Sequence, residues 1–534
     1  MPSFKRISLV LLTSTAALSL AGCGGADSVA SPGDGVIVVP TTPAPTPTPT
    51  GTPTPTAGTP AASCPTGTTD VGVIGAFRSC RIPSLITSAL TLPRATGVAY
   101  EINGRVDVGV DVGGAGTAPG GVSATLTVAP GVLVYANTTN SDNDFLVVNR
   151  GSRLVAEGTE TLPIVFTADA NITGRTSAGA PLTDESQGLW GGIILAGRAP
   201  VSNCNTTVAG GSATCENVVE GTSNALYGGA TPTDNSGTIR YVQIRYSGTV
   251  ISPNNELQGL TMGGTGSGTT VDHIQIHNSS DDGIEIFGGR TNLRYLAFTG
   301  ADDDGLDTDV GWQGFAQFVL AIQKPTNTQT DNYSTEIDSN GNEDALPRQR
   351  YTLANFTFVS TTAATNAAIR IRGGADVRMV NGIVTGPTAC LNIVAGADAS
   401  GKTTIRAANS ALDDQGPPLF NSVLFGCATP YSETTVNGIT VTSAEQRAVF
   451  TAGTNNVESA TGLLSNTFYP AGVATTTTPF NAATLNPSGT AFLVQTGFVG
   501  AISGASDTSF QGWTCNSNRA TFGTTSRACT TVTS

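Results

Sequence analysis

The stretch whose reading decides the fold runs from Thr270 to Trp312: TVDHIQIHNSSDDGIEIFGGRTNLRYLAFTGADDDGLDTDVGW. It holds one phrase twice. Asp281-Asp282-Gly283-Ile284-Glu285 returns as Asp303-Asp304-Gly305-Leu306-Asp307, and Ile274 and Ile276 return as Leu296 and Phe298, always 22 residues on. A period in the low twenties with apolar alternation marks a solenoid, whose repeats each pack only on their neighbours. Leucine-rich repeats share the period but need a leucine ladder and an asparagine turn that are absent here. β-Branched pairs separated by Gly, Asn and Asp favour short strands joined by turns. The predicted fold is all-β: a right-handed parallel β-helix with loop insertions and a C-terminal cap.

Side chains alternate along a strand. Ile274, Ile276, Ile284 and Ile286 therefore point inward, and His273, Gln275, His277 and Glu285 outward. Equivalent residues of successive coils stack about 4.8 Å apart. Asp281 then sits beside Asp303, Asp282 beside Asp304 and Glu285 beside Asp307. Like charges directly opposite are destabilising. A cation, an arginine, raised pKa values or full hydration must offset the repulsion. Carboxylates are hard ligands, so calcium is the natural candidate, with Asp281, Asp282, Glu285, Asp303, Asp304 and Asp307 as its ligand set. The competing reading has the aspartates capping and turning the backbone.

The chain before this region reads as an address and a tether. Lys5 and Arg6 precede an apolar run from Ile7 to Leu20, short for a membrane span. It ends in Leu20-Ala21-Gly22-Cys23, which resembles the lipobox of bacterial lipoproteins. The resemblance implies a signal peptide over 1–22 and a lipid on Cys23, and Gly24 leans towards the outer membrane. Residues 23–63 carry the lipidated cysteine and a Pro/Thr-rich tether, which prefers extended polyproline II. The β-helix is expected over 64–427, with its first coils from about Tyr100, and terminal coils with a disulfide-stapled cap over 428–534. Beyond Cys23, eight of the nine cysteines remain. An even number behind an export signal reads as disulfides. A solenoid keeps sequence neighbours close, so the pairs expected are Cys64–Cys80, Cys204–Cys215, Cys390–Cys427 and Cys515–Cys529.

Several markers recur through the middle of the chain: LTVAPG from Leu126, PIVFT from Pro163, WGGIILAG from Trp190, DNSGTIRYVQIRYSG from Asp234 and DDGIEIFGG from Asp281. As a set they resemble a family of bacterial exported proteins with a pectate-lyase-like right-handed parallel β-helix, many of them surface lipoproteins. The resemblance runs from about Leu126 to Val319. It implies a fold and a surface address and supplies no catalytic assignment. Residues 198–235 read as a loop stapled by Cys204 and Cys215, and 324–350 as a polar insertion. In the latter Asp338, Asn340, Asn342 and Asp344 echo a calcium loop without the glycine and glutamate positions of an EF-hand. Arg370 and Arg372 share one outward face, suited to an anionic ligand or an acidic neighbour.

The strongest enzymatic comparison is with β-helix glycoside hydrolases of the polygalacturonase type, whose paired aspartates look like Asp281-Asp282-Gly283-Ile284. Inverting hydrolysis needs an acid and a base about 6.5–9.5 Å apart. Asp281, Asp282, Asp303 and Asp304 are the catalytic candidates on that reading, within the acidic ladder Asp281–Asp309. The G-H-G turn of that family has no counterpart here. His273 and His277 are four strand residues apart, too far to chelate one ion. Trp312 and Tyr295 either line a groove or pack between coils. A net charge of −14 opposes binding to nucleic acid. The expected function is a calcium-stabilised, non-catalytic lipoprotein of the cell envelope. Its lipid holds it to the outer membrane, on the periplasmic or cell-surface face, and it binds a polysaccharide or an outer-membrane protein. The rival is a polysaccharide hydrolase or lyase.

Overall fold

The computed structural model describes residues 58–532 apart from 141–142, 253–254, 326–331, 340, 342, 362–365 and 397–400. Cys23, its leader and most of the tether lie outside the described residues, as do Asn340 and Asn342. From residue 54 onward the chain is one unit, built on a 24-stranded and almost wholly parallel sheet wound into coils. The first coil strands are Phe77–Arg81 and Val98–Ile102, ahead of the expected start at Tyr100.

The 22-residue repeat sets the register directly. Strand Thr270–His277 pairs in parallel with Asn292–Thr299, placing Ile274 on Leu296 and Ile276 on Phe298. Strand Ile284–Phe287 pairs with Leu306–Asp309, placing Glu285 on Asp307. The inward positions form a buried column, Leu260, Ile284, Leu306, Thr335, Ile369 and Leu391, apolar except for Thr335, whose hydroxyl donates to the Leu306 carbonyl. Each such apolar residue removed from water contributes about 1.5–3 kcal/mol, and because coils share neighbours the gain accumulates along the solenoid.

Long strands turn a corner at one residue in the left-handed region. Tyr241, His273, Tyr295, Phe318, Asn355, Asn381 and Ser422 all have φ between 51° and 63°, and the strand register stacks them one above another. The bulky members offset the strain of that backbone by stacking: Tyr241 on His273 at 4.3 Å, His273 on Tyr295 at 4.3 Å and Tyr295 on Phe318 at 4.6 Å between ring centroids. Tyr295 is thus a stacking residue. Trp312 is fully buried in the core, its Nε1 donating to the Thr291 carbonyl, and lines no groove.

The last hundred residues do two things. The helix Ser443–Thr451, started by a Thr442/Glu445 capping box, lays Phe450 against Phe425 and Phe420 and closes the end of the core. The chain then runs back along the outside of the coils. Asn381 exchanges two hydrogen bonds with the Phe480 backbone, Gln317 two with Val494 and Gln275 two with Cys515. Arg245 reaches the carbonyls of Cys529 and Thr531. Each outward amide side chain serves as the strand partner of this strap. Gln275 and His277, expected to face water, point away from the core but are fully buried, and His273 lies against Trp513 of the strap. Disulfides join Cys64 to Cys80, Cys204 to Cys215, Cys390 to Cys427 and Cys515 to Cys529.

Candidate functional site

The acidic face is built on the ladder of short strands that includes Ile284–Phe287 and Leu306–Asp309. The next strand of that ladder, Thr335–Ile337, lies inside the segment read as a polar insertion. It carries Glu336 as the register partner of Asp307. Arg370 follows on Glu336. One column thus reads Glu285, Asp307, Glu336, Arg370.

Within the described residues two carboxylate groups stand out. Asp281, Asp282 and Asp303 each bring one oxygen within 4.8 Å of the others, and so do Asp282, Glu285 and Asp307. Asp282 belongs to both. Asp281, Asp282 and Glu285 are buried, while Asp303 and Asp307 form the partly exposed rim. Asp304, expected among the ligands, has another task. Asp282 Oδ1 accepts from the Asp304 N–H at 2.8 Å, and Asp304 Oδ1 accepts in turn from the Tyr333 N–H. The backbone-capping reading therefore describes one oxygen of Asp304 and one of Asp282.

Sequence reasoning missed the residues that close the site from outside the repeat. Gln258 Nε2 donates to Glu220 Oε1 at 2.5 Å and to Asp281 Oδ2 at 3.3 Å. Glu220 lies in the 198–235 excursion and, second to burial, its charge raises the pKa of Glu285. Arg372 bonds Glu336 at 2.7 Å and Asp338 at 2.9 Å. Of the two proposed uses of Arg370 and Arg372, the acidic neighbour is the one present. Asp338 and Asp344, read as part of a calcium-loop echo, are engaged by arginines: Asp338 by Arg372, and Asp344 by Arg348 and Arg406.

Burial comes first among the causes that push the carboxyls of Asp281, Asp282, Glu285, Asp304, Asp307 and Asp309 well above the ordinary range. Repulsion from their neighbours adds to it. Burial lowers the Arg372 guanidinium, but Glu336 and Asp338 outweigh it and raise it. Two arginines on the edge, Arg370 and Arg372, do not neutralise the group. Glu285 Oε2 and Asp307 Oδ1 are buried without a hydrogen-bond partner. Buried acceptors left unmet cost about 1–3 kcal/mol each, more when charged.

These oxygens fit a calcium ion. At 2.3–2.6 Å from the metal, two ligand oxygens lie at most about 5.2 Å apart, which accommodates the 4.8 Å limit within each group.

Residues 116–463 match the family model described as a pectate-lyase like beta helix domain. The match reaches well beyond Val319, where the resemblance read from sequence fades. No curated protein and no solved structure matches the chain.

Proposed function

We propose, for a chain that belongs to the pectate-lyase-like β-helix family, that it is a lipid-anchored envelope module. In this reading a calcium ion on the acidic face completes a binding surface for a polymer or an outer-membrane partner. The observation that carries it is the pair of buried, unmet oxygens, Glu285 Oε2 and Asp307 Oδ1, beside Asp282. A cation there satisfies the orphaned acceptors and cancels the repulsion together, which water or a proton does only in part. Asp282, Glu285 and Asp307 would hold the ion, Asp281 and Asp303 would form with Asp282 an adjoining acidic group, and Arg372 on the rim would face the partner. Lipidation at Cys23 and the Pro/Thr tether would carry this surface away from the membrane.

A second reading is a polysaccharide-active enzyme. It draws on Asp282, whose carboxyl is held protonated to higher pH by burial and by Asp281, as a general acid requires. One experiment separates the two. The full chain is incubated with acidic and neutral polysaccharides, in calcium and in chelator, and both retention and new sugar ends are measured. The binding reading expects retention that chelation abolishes, with no new ends. Reducing ends or unsaturated sugars that disappear with Asp282→Asn would establish the enzyme instead.

A further inference from the structure

A cavity of about 430 Å³ lies between the returning C-terminal strap and the coils around residues 131–165. Leu133 and Val532 give it an apolar wall, while Arg94, Arg245 and Arg527 converge on it. Glu160 is the one carboxylate among its lining residues. This convergence is independent of the acidic face.

Arg245 is the informative member. It is only 3 % exposed. Its Nε donates to Gln243 Oε1 at 2.9 Å and its Nη2 donates to the same oxygen, while its Nη1 donates to Asn171 Oδ1, the Cys529 carbonyl and the Thr531 carbonyl at 2.7–3.1 Å. Every one of these acceptors is neutral. Among the described residues no carboxylate forms an ion pair with Arg245, although buried guanidinium groups elsewhere in this chain have them, as Arg150 and Arg348 do. Burial pushes its pKa down to about 10, so it remains charged at neutral pH. Clamping the strap accounts for its Nη1 bonds but not for the two further cations. Arg94 comes from the coil side and Arg527 from the strap, inside the loop closed by Cys515–Cys529. Neither has an ion pair among the described residues. Like charges gathered across a partly apolar cavity repel one another unless an anion joins them.

We propose that this cavity binds a small organic carboxylate, its charge between the arginines and its ring or chain against Leu133 and Val532. The cavity volume is within the range of small-molecule sites. The test uses the full chain in chelator, which removes any contribution of a metal on the acidic face. Benzoate and glucuronate are compared with their neutral counterparts benzamide and glucose, and with sulfate, by ligand-observed NMR and thermal shift. The carboxylates should bind in preference to the neutral compounds and weaken as salt rises. Arg94→Gln with Arg527→Gln should weaken them at least tenfold. Both arginines are exposed, so that double variant is expected to fold, which its unchanged circular dichroism would confirm. Asp282→Asn should leave carboxylate binding unchanged. Sulfate displacing benzoate would support one shared anion position. Equal binding of benzamide and benzoate, binding of sulfate alone, absence of carboxylate binding, or an unaffected double variant would each overturn the proposal.

Discussion

Asp282→Asn is the sharpest perturbation of the acidic face. Asp282 is common to both carboxylate groups, so the substitution removes one charge from each. The asparagine oxygen still accepts from the Asp304 N–H, the one structural bond the side chain makes across coils. The calcium response can be sized. At a free calcium concentration of one hundred times Kd, binding to the native state alone stabilises by about 2.7 kcal/mol. The folded unit has about 480 residues, and unfolding entropy near 2.1 cal/mol/K per residue gives roughly 1 kcal/mol/K. Calcium should therefore raise Tm by about 3 °C in the wild type. In Asp282→Asn, with affinity lowered at least tenfold, the rise should fall to about 1.4 °C or less at the same concentration. In chelator the sign reverses: burial makes ionised Asp282 costly in the folded state, a cost that the neutral asparagine avoids, so the variant should melt at or above the wild type. Asp304→Asn is the control and should keep the calcium response, because Asp304 serves the Tyr333 N–H. Differential scanning fluorimetry with calcium and with chelator reads all three proteins in both conditions. Equal loss of Tm by Asp282→Asn in both conditions would refute the metal reasoning and leave Asp282 as a backbone cap.

Three further outcomes are expected. In chelator, the raised carboxyls of Asp281, Asp282, Glu285 and Asp307 hold protons that the unfolded chain has released; stability then falls as pH rises above about 4, by up to about 1.4 kcal/mol per pH unit for each such group. Buried His277, whose pKa is lowered well below its ordinary value, opposes this below about pH 6.5, so a chelated protein whose Tm falls monotonically from pH 7 to 5 would contradict the carboxyl assignment. Gln275→Ala strips the strap of both backbone partners at Cys515 and should cost about 2–4 kcal/mol, read by denaturant unfolding; a change under about 0.5 kcal/mol would show the strap to be held elsewhere. Cys23→Ser should move the chain from the membrane to the soluble fraction of fractionated cells, and an unchanged membrane fraction would remove the lipid anchor.

The coil register was legible because two consecutive repeats have the same length. The constant 22-residue step places Ile274 over Leu296 and Glu285 over Asp307 without any loop to interrupt the count. The next rung was not legible, because the step from Asp307 to its partner Glu336 is 29 residues instead of 22. Arg372 was visible as an outward arginine, but its acidic partners lay hidden behind that same change of step. Glu220 and Gln258 join the site from loop segments, where no periodicity reports position. The strap has no repeat at all. Its trace in the sequence is the outward amide, Gln243 over Gln275, which hydration alone does not require and which the backbone of Trp513 and Cys515 explains.

The most direct measurement is a calorimetric titration of calcium into the full chain and into Asp282→Asn. A cation held between Asp282, Glu285 and Asp307 predicts saturable binding by the wild type, with loss of at least tenfold in affinity in the variant. No saturable binding by the wild type at millimolar calcium, or identical binding by the two proteins, would contradict it.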